Sequence, residues 1–357
     1  MLTTNCKKDD DSTMQDSSFL PTSWTKGDGS ENNPYQIEKP GHLVYLANIV
    51  NSGNESYSFT YFILMNDLDL SSISWTPIGL TYNDGFGGNF DGNNKSISNL
   101  NINSSVYEYT GLFGHIYGGS IKNLKLVNVD VTGNEHVGGF VGYGQFMDIE
   151  NCSVSGSVSG ANNVGAIGGK ASSTDILNCY NEATVHASGN NAGGLIGDIY
   201  NGEIYLSFNL GTITANNGAG GLIGHTSSAT SSTTEVKNCY NKGSISATDY
   251  AAGIIGSSDD SDVRHTYNVG TITATTYIDA ISVIGPNGYT STVNVEFSYY
   301  LDGTLGTHDS YFGVSREQAV MLSSSFVDEL NEYQTPEVWE MDKTPNINDG
   351  YPILPWQ

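Results

Sequence analysis

The chain has 357 residues, with 13 Lys and Arg against 38 Asp and Glu and a formal net charge of −25. That balance excludes binding to nucleic acid or to anionic membrane through bulk electrostatics. The 43 Gly, with abundant Asn, Ser and Thr, disfavour a helical bundle, while 38% hydrophobic residues recurring at regular intervals exclude a long disordered chain.

Near the N-terminus, Cys6 is followed by Lys7-Lys8-Asp9-Asp10-Asp11 and a polar stretch to about Ser18. This opening resembles the mature start of a bacterial surface lipoprotein. The resemblance implies acylation of Cys6 and a flexible leader over residues 1–20, with the membrane met only through that anchor. Residues 21–110 are expected to form an N-terminal cap helix and the first coils. Leu43, Leu46, Ala47 and Val50 fall at helical spacing between Pro40-Gly41 and Asn51-Ser52-Gly53. Residues 61–70 read as a strand and bend, and Ile97, Leu100 and Ile102 as an early coil.

From residue 111 to about 300 the sequence repeats itself. A Gly-apolar-apolar-Gly phrase recurs at 111–114, 139–142, 165–168, 194–197, 221–224 and 253–256, with a worn copy at 282–285. The steps are 28, 26, 29, 27, 32 and 29 residues. A second phrase accompanies it, as in Ile149-Glu150-Asn151-Cys152-Ser153 and Val236-Lys237-Asn238-Cys239-Tyr240, and a third follows, as in Gly211-Thr212-Ile213. Each unit therefore offers three short β-prone runs separated by turn residues. The pattern predicts an all-β fold: a right-handed parallel β-helix of about seven to nine coils, three short strands per coil. One coil cannot bury its own apolar positions, but coils stacked about 4.8 Å apart can.

Within the second phrase, alternation breaks at Asn123, Asn151, Asn178 and Asn238. Asn tolerates the left-handed conformation, so these residues are expected to form a stacked corner. The next column, with Leu124, Cys152, Cys179, Ser207, Cys239, Thr266 and Ser298, then faces inward, and its thiols are expected to be free. One position further on, Tyr180, Phe208, Tyr240, Tyr267 and Tyr299 are expected to point outward. They form a candidate sugar-binding strip, or a stack that merely shields the sheet.

Asp259, Asp260 and Asp262 read as part of a long polar insertion in the widest repeat. Carboxylate and carbonyl oxygens of such a loop suit calcium, the one cofactor the sequence suggests; a solvated loop is the plainer reading. His115 and His225 each follow a glycine phrase, but in non-adjacent coils, and read as surface turns. Residues 301–357 are expected to form a small C-terminal cap, with a helical segment over 315–333 in which Ser315 caps with Gln318. Trp339 and the run from Asn348 to Leu354 then supply an aromatic plug and a final strand.

These residues resemble bacterial GLUG-motif surface proteins. The likeness rests on the glycine phrases and their Asn-Cys-Tyr-Asn partners, on Phe90-Asp91-Gly92-Asn93 before them, and on Asn348-Asp349-Gly350-Tyr351-Pro352 after them. It implies a secreted or surface-anchored, adhesin-like β-helix of the kind common in gut Bacteroidetes, as an outer-membrane lipoprotein or a secreted protein. Some larger members add an immunoglobulin-A-cleaving metallopeptidase domain, but no His-Glu-x-x-His occurs here. Polysaccharide lyases and hydrolases also use β-helices with paired carboxylates. Asp67 with Asp69 and Asp84 with Asp91 are candidates, yet only Arg264 offers a base close to an acidic cluster. The expectation is a non-catalytic surface rod that binds a host or dietary glycan or a surface protein. The alternatives are a structural spacer without a ligand and, behind it, a glycan-cleaving enzyme.

Overall fold

A computed structural model describes residues 20–53, 57–227, 233–284, 292–343 and 346–357; Cys6 lies outside them. The molecule is a parallel β-helix of about nine turns with little helix. Among the described residues every strand pairing between successive coils is parallel, as in Ile149 with Ile121 and Ile176, and Tyr240 with Phe208 and Tyr267. The core is a continuous column of aliphatic side chains, among them Ile121, Ile149, Ile176, Ile204, Val236 and Val263, each 1% exposed or less.

The corners explain why this sequence coils. Asn123, Asn151, Asn178 and Asn238 all adopt left-handed φ of 53–54°, as their residue type predicts. The first three form an axial ladder: Asn151 donates to Asn123 at 3.0 Å, and Asn178 donates to Asn151 at 3.0 Å, whereas Asn238 donates to Gln334 of the C-terminal segment. The following residue turns inward, so Cys152, Cys179 and Cys239 are buried and unpaired. Burial pushes the Cys239 thiol up to about 12, and the thiols behave as small core hydrophobes.

A second ladder was not evident from the repeat. Asn181, Asn209, Asn241 and Asn268 are fully buried. Each amide nitrogen donates to the next coil's asparagine or to the carbonyl two residues on, and Asn209 does both, to Asn241 at 2.7 Å and Gly211 at 2.9 Å. Its carbonyl accepts from Asn181 at 2.8 Å and from the Gly211 N–H at 3.1 Å. Every polar atom of the side chain is therefore paired inside the core, the condition under which buried amides are tolerated.

The glycine phrases lie in a seven-stranded sheet of their own, from Phe113–Tyr117 through Val141–Gln145, Gly168–Ser172, Ile196–Tyr200, Ile223–Thr226 and Ile255–Ser258 to Ser282–Ile284. Glycine is required where coils touch through backbone: a Cβ on Gly194 would sit 2.0 Å from the Gly221 carbonyl oxygen. The register corrects one phrase. Gly165 pairs with Gly138 and Gly193, and Gly168 pairs with Val141 and Ile196. Ala166 thus stands where its neighbours have Gly139 and Gly194, and Gly169 is the phrase's true second glycine.

Both ends are capped. Helix α1 (Pro40–Asn51) buries Leu43, Leu46, Ala47 and Val50, as their spacing predicts. At the far end Val314–Arg316 pairs with Tyr299–Leu301, so Ser315 lies in a strand and caps no helix. Helix α2 (Gln318–Met321) begins after Glu317 without a side-chain cap, and α3 (Ser324–Leu330) follows it. The chain then returns along the flank of the rod as far as Gln357.

Candidate ligand-binding face on the glycine-phrase sheet

The returning segment settles the position of the aromatic column. Phe208, Tyr240, Tyr267 and Tyr299 are each 5% exposed or less. They do point out of the coil, and their rings stack: Phe208 on Tyr240 at 4.7 Å and Tyr240 on Tyr267 at 5.0 Å. Over them lie Phe326, Leu330, Trp339, Tyr351 and Leu354 in a second hydrophobic cluster. Tyr267 Oη donates to the Pro352 carbonyl at 2.6 Å, Trp356 Nε1 to the Leu206 carbonyl at 2.9 Å, and Trp339 Nε1 to Asn238 Oδ1 at 3.1 Å. Only Tyr180, at the column's edge, is partly exposed, and it stacks on Phe208 at 5.0 Å. The column is therefore the docking surface for the C-terminal cap, and its rings are not available as a sugar strip.

The three aspartates are also redirected. Asp262 pairs with Arg264 at 2.6 Å, Asp260 accepts the Thr292 N–H at 2.6 Å, and Asp259 faces His225. Asp259 and Asp260 occupy a tight turn between Ile255–Ser258 and Ser261–Arg264 and Asp262 lies in the second of these strands; none is in the repeat's long insertion, which falls between Ile223–Thr226 and Thr234–Lys237. Among the described residues no group of three or more His, Cys, Asp or Glu is arranged to hold a metal ion, so the calcium reading loses its ligand set. The other acid pairs serve the coil: Asp67 accepts from the Ser96 N–H at 2.7 Å, Asp69 from Asn99 at 2.9 Å, and Asp91 from Asn123 at 3.1 Å.

What the fold does assemble is a column on the glycine-phrase sheet. The residue after each phrase's second glycine lies in register with its counterparts: His115, Tyr143, Lys170, Asp198, His225 and Ser257. Coil spacing sets one such side chain about every 4.8 Å along the axis. Its first part is aromatic. Tyr82 stacks on His115 at 4.9 Å, Tyr143 lies 5.5 Å from His115, and Tyr109 stacks on His136 at 5.7 Å. Tyr82 is 54% exposed and forms the outer face of this basin. Burial lowers the His115 and His136 pKa values, so both rings favour the neutral form.

The second part is charged. Lys170 Nζ lies 3.4 Å from Asp198 Oδ2, and His225 Nδ1 lies 2.9 Å from Asp198 Oδ1. Asp198 is almost fully buried. Burial by itself would raise its pKa, but the hydrogen bond from His225 and the neighbouring Lys170 ammonium bring it below the ordinary carboxylate value. Beyond His225, Asp259 Oδ2 stands 3.9 Å from Nε2. The line Lys170–Asp198–His225–Asp259 thus crosses four consecutive coils. His115 and His225, separate in sequence, are two members of this one column; the intervening members carry no repeated residue type that would have marked it.

A different flank carries like charges. Asp148, Asp175 and Glu203 are followed in the same column by Glu235 and Asp262. Asp148 and Glu203 have raised pKa values, through burial and then through neighbouring carboxylates, foremost Asp175. Groups that repel one another in this way mark a surface held together by the backbone beneath it.

Comparison with known proteins agrees with the motif and the fold. Residues 133–159 match the GLUG motif. The chain is 38% identical over 96 residues to a protein of Evansella cellulosilytica provisionally named a Gly-rich membrane protein, covering 25% of this chain and 10% of that one. It is 30% identical over 225 residues to halomucin of Haloquadratum walsbyi, covering 60% of this chain and 2% of that one. The chain thus spans a small fraction of either relative. A crystal structure from Bacteroides ovatus, provisionally named an immunoglobulin A1 protease, superposes with a TM-score of 0.59 over 94% of this chain and 96% of that one; at 21% identity the likeness is one of fold. The chain carries the GLUG motif on a parallel β-helix.

Proposed function

We propose that this protein is a non-catalytic cell-surface rod whose glycine-phrase sheet binds an extended glycan of host or dietary origin. The observation that carries this reading is the open face along Tyr143, Lys170 and His225, flanked by Tyr82 and Asp259, on which aromatic rings are followed along the axis by donors and acceptors. A chain lying along the rod meets a new side chain at each coil, and aromatic faces beside a few placed polar groups suit sugar rings. Nucleophilic hydrolysis fits less well. Ser257 follows His225 in the column, yet no hydrogen bond joins its hydroxyl to the imidazole among the described residues, and an activated serine needs that contact.

The names of the two relatives, a membrane protein and a halomucin, support a surface location. No helix among the described residues is long and apolar enough to cross a membrane. Attachment through acylated Cys6 fits both, and Cys6→Ala would release the protein from the membrane fraction.

A glycan array tests the binding face. Wild type is expected to retain at least one glycan, with Tyr82→Ala weakening it while thermal stability is kept. A folded wild type that retains no glycan would favour the spacer reading. Retention of a protein partner instead, or product release from a polysaccharide, would redirect it to those functions.

A further inference from the structure

Two carboxylates, Asp198 and Asp259, flank the one imidazole of His225. Neutral imidazole has a single N–H. Asp198 is the more deeply buried carboxylate and lies at hydrogen-bonding distance from Nδ1, 2.9 Å. In the neutral ring the proton therefore belongs on Nδ1, because an unpaired buried carboxylate is the costlier alternative. Nε2 then presents a lone pair toward Asp259 Oδ2, 3.9 Å away. That is too long for a direct hydrogen bond, and it sets two acceptors face to face. Asp259 Oδ1 is buried without a hydrogen-bond partner. The Asp259 backbone cannot help, since its N–H already donates to Thr226.

The gap lacks a donor. It is also open: the His225 and Asp259 side chains are 21% and 17% exposed. Lys170 is committed to Asp198 at 3.4 Å, so the excess charge of the group is the Asp259 carboxylate. We propose that the His225–Asp259 gap recognises a primary ammonium group, which makes the ligand class a glycan containing unacetylated amino sugars. An ammonium carries three N–H donors and a full positive charge; it supplies Nε2 and the carboxylate at once. A neutral hydroxyl has one donor, and a carboxylate or sulfate ester would meet Asp259 with like charge. The wider field agrees, since the chain carries a net charge of −25. This assignment rests on the glycan reading above and specifies one subsite of it.

The test is isothermal calorimetry at neutral pH with glucosamine oligomers and their N-acetylated counterparts. Acetylation removes the charge and two of the three donors and leaves the sugar rings in place. Wild type is expected to bind the amine form about tenfold more tightly, as for a charge-assisted hydrogen bond. Asp259→Asn is expected to abolish that preference and leave the acetylated oligomer unaffected, while Tyr82→Ala weakens both. Equal affinity for the two oligomers, or an unchanged preference in Asp259→Asn, overturns the ammonium site but leaves the glycan reading standing. If folded wild type binds neither oligomer, the ammonium site falls, and retention of another glycan on the array keeps the glycan reading. A side-chain nitrogen NMR spectrum gives an independent check: the Nδ1–H tautomer of His225 supports the assignment, and an imidazolium already bridging Asp198 and Asp259 overturns it.

Discussion

Two columns run along this rod, built by the same stacking rule and used differently. Phe208, Tyr240, Tyr267 and Tyr299 repeat one chemistry in four coils, and the C-terminal segment covers them. His115, Tyr143, Lys170, Asp198, His225 and Ser257 change chemistry at every coil, and the column reaches solvent at Tyr143, Lys170 and His225. Like residues stack well on themselves and offer a uniform apolar surface, suited to receiving a cap. Unlike residues at the same register position form a pattern of donors, acceptors and rings, suited to discriminating a ligand. In this solenoid, repetition along a column marks structure and variation marks a candidate site.

The comparison breaks most visibly at Tyr267. Its ring is buried between stacked neighbours and its hydroxyl meets the Pro352 carbonyl and the Asn348 amide. Tyr267→Ala is expected to lose about 4 kcal/mol in denaturant unfolding. Amide exchange should accelerate across residues 339–343 and 346–357 before it does in the coils. Uniform acceleration would mean that the cap and rod are one cooperative unit. Asp279 ties the last coil to the cap differently, accepting N–H groups of Ile281 at 2.9 Å, Ser282 at 3.2 Å, Tyr311 at 2.7 Å and Phe312 at 3.1 Å. Asp279→Ala leaves those donors without their acceptor and is expected to cost about 3 kcal/mol, read as a fall in the unfolding midpoint. Asn209→Ala, inside the buried ladder, is expected to lose about 2 kcal/mol by the same assay.

On the open column the effects move from stability to binding and pH. Tyr82→Ala is expected to stay within about 0.5 kcal/mol of wild-type stability, as for an exposed side chain; a large loss would make Tyr82 a structural ring. Burial holds the folded pKa values of His115 and His136 below the ordinary histidine value. Below about pH 6.5 the unfolded chain then takes up protons that the folded chain refuses. The stability tied to these rings is complete above that value and is lost as pH falls through the lowered folded pKa values. His115→Gln and His136→Gln should flatten a plot of Tm against pH in that range. The acidic flank responds in the opposite sense. Asp148 and Glu203 have raised folded pKa values, so their ionised forms oppose folding and the opposition is relieved as pH falls through those values. Glu203→Gln should raise Tm slightly at neutral pH, the smallest change expected.

Much of this architecture was legible in the chain. The left-handed asparagine corners, the inward thiols and the cap helix all followed from residue type and spacing, because each depends on contacts within a coil or between identical positions of adjacent coils. The internal ladder of Asn181, Asn209, Asn241 and Asn268 was less legible. An Asn after an aromatic carries no local sign that its amide will be buried and paired. The outward direction of the aromatic column follows from alternation along the strand, but its burial does not. What covers it arrives from residues 326–356, far along the chain.

By itself the sequence determined the coil: the glycine phrases, the turn-forming asparagines and the β-prone runs recur at a fixed period, and a periodic chain has a periodic solution. Tertiary structure alone decided which outward columns stay outward. The seat of the C-terminal segment depends on contacts such as Tyr267 with Pro352 and Asn238 with Trp339, separated by 85 and 101 residues. The one-residue offset at Gly168 likewise became visible only in register, and it brings Lys170 into line with Tyr143 and Asp198. Periodicity specifies what each coil repeats; the non-repeating contacts decide what the rod hides and what it presents.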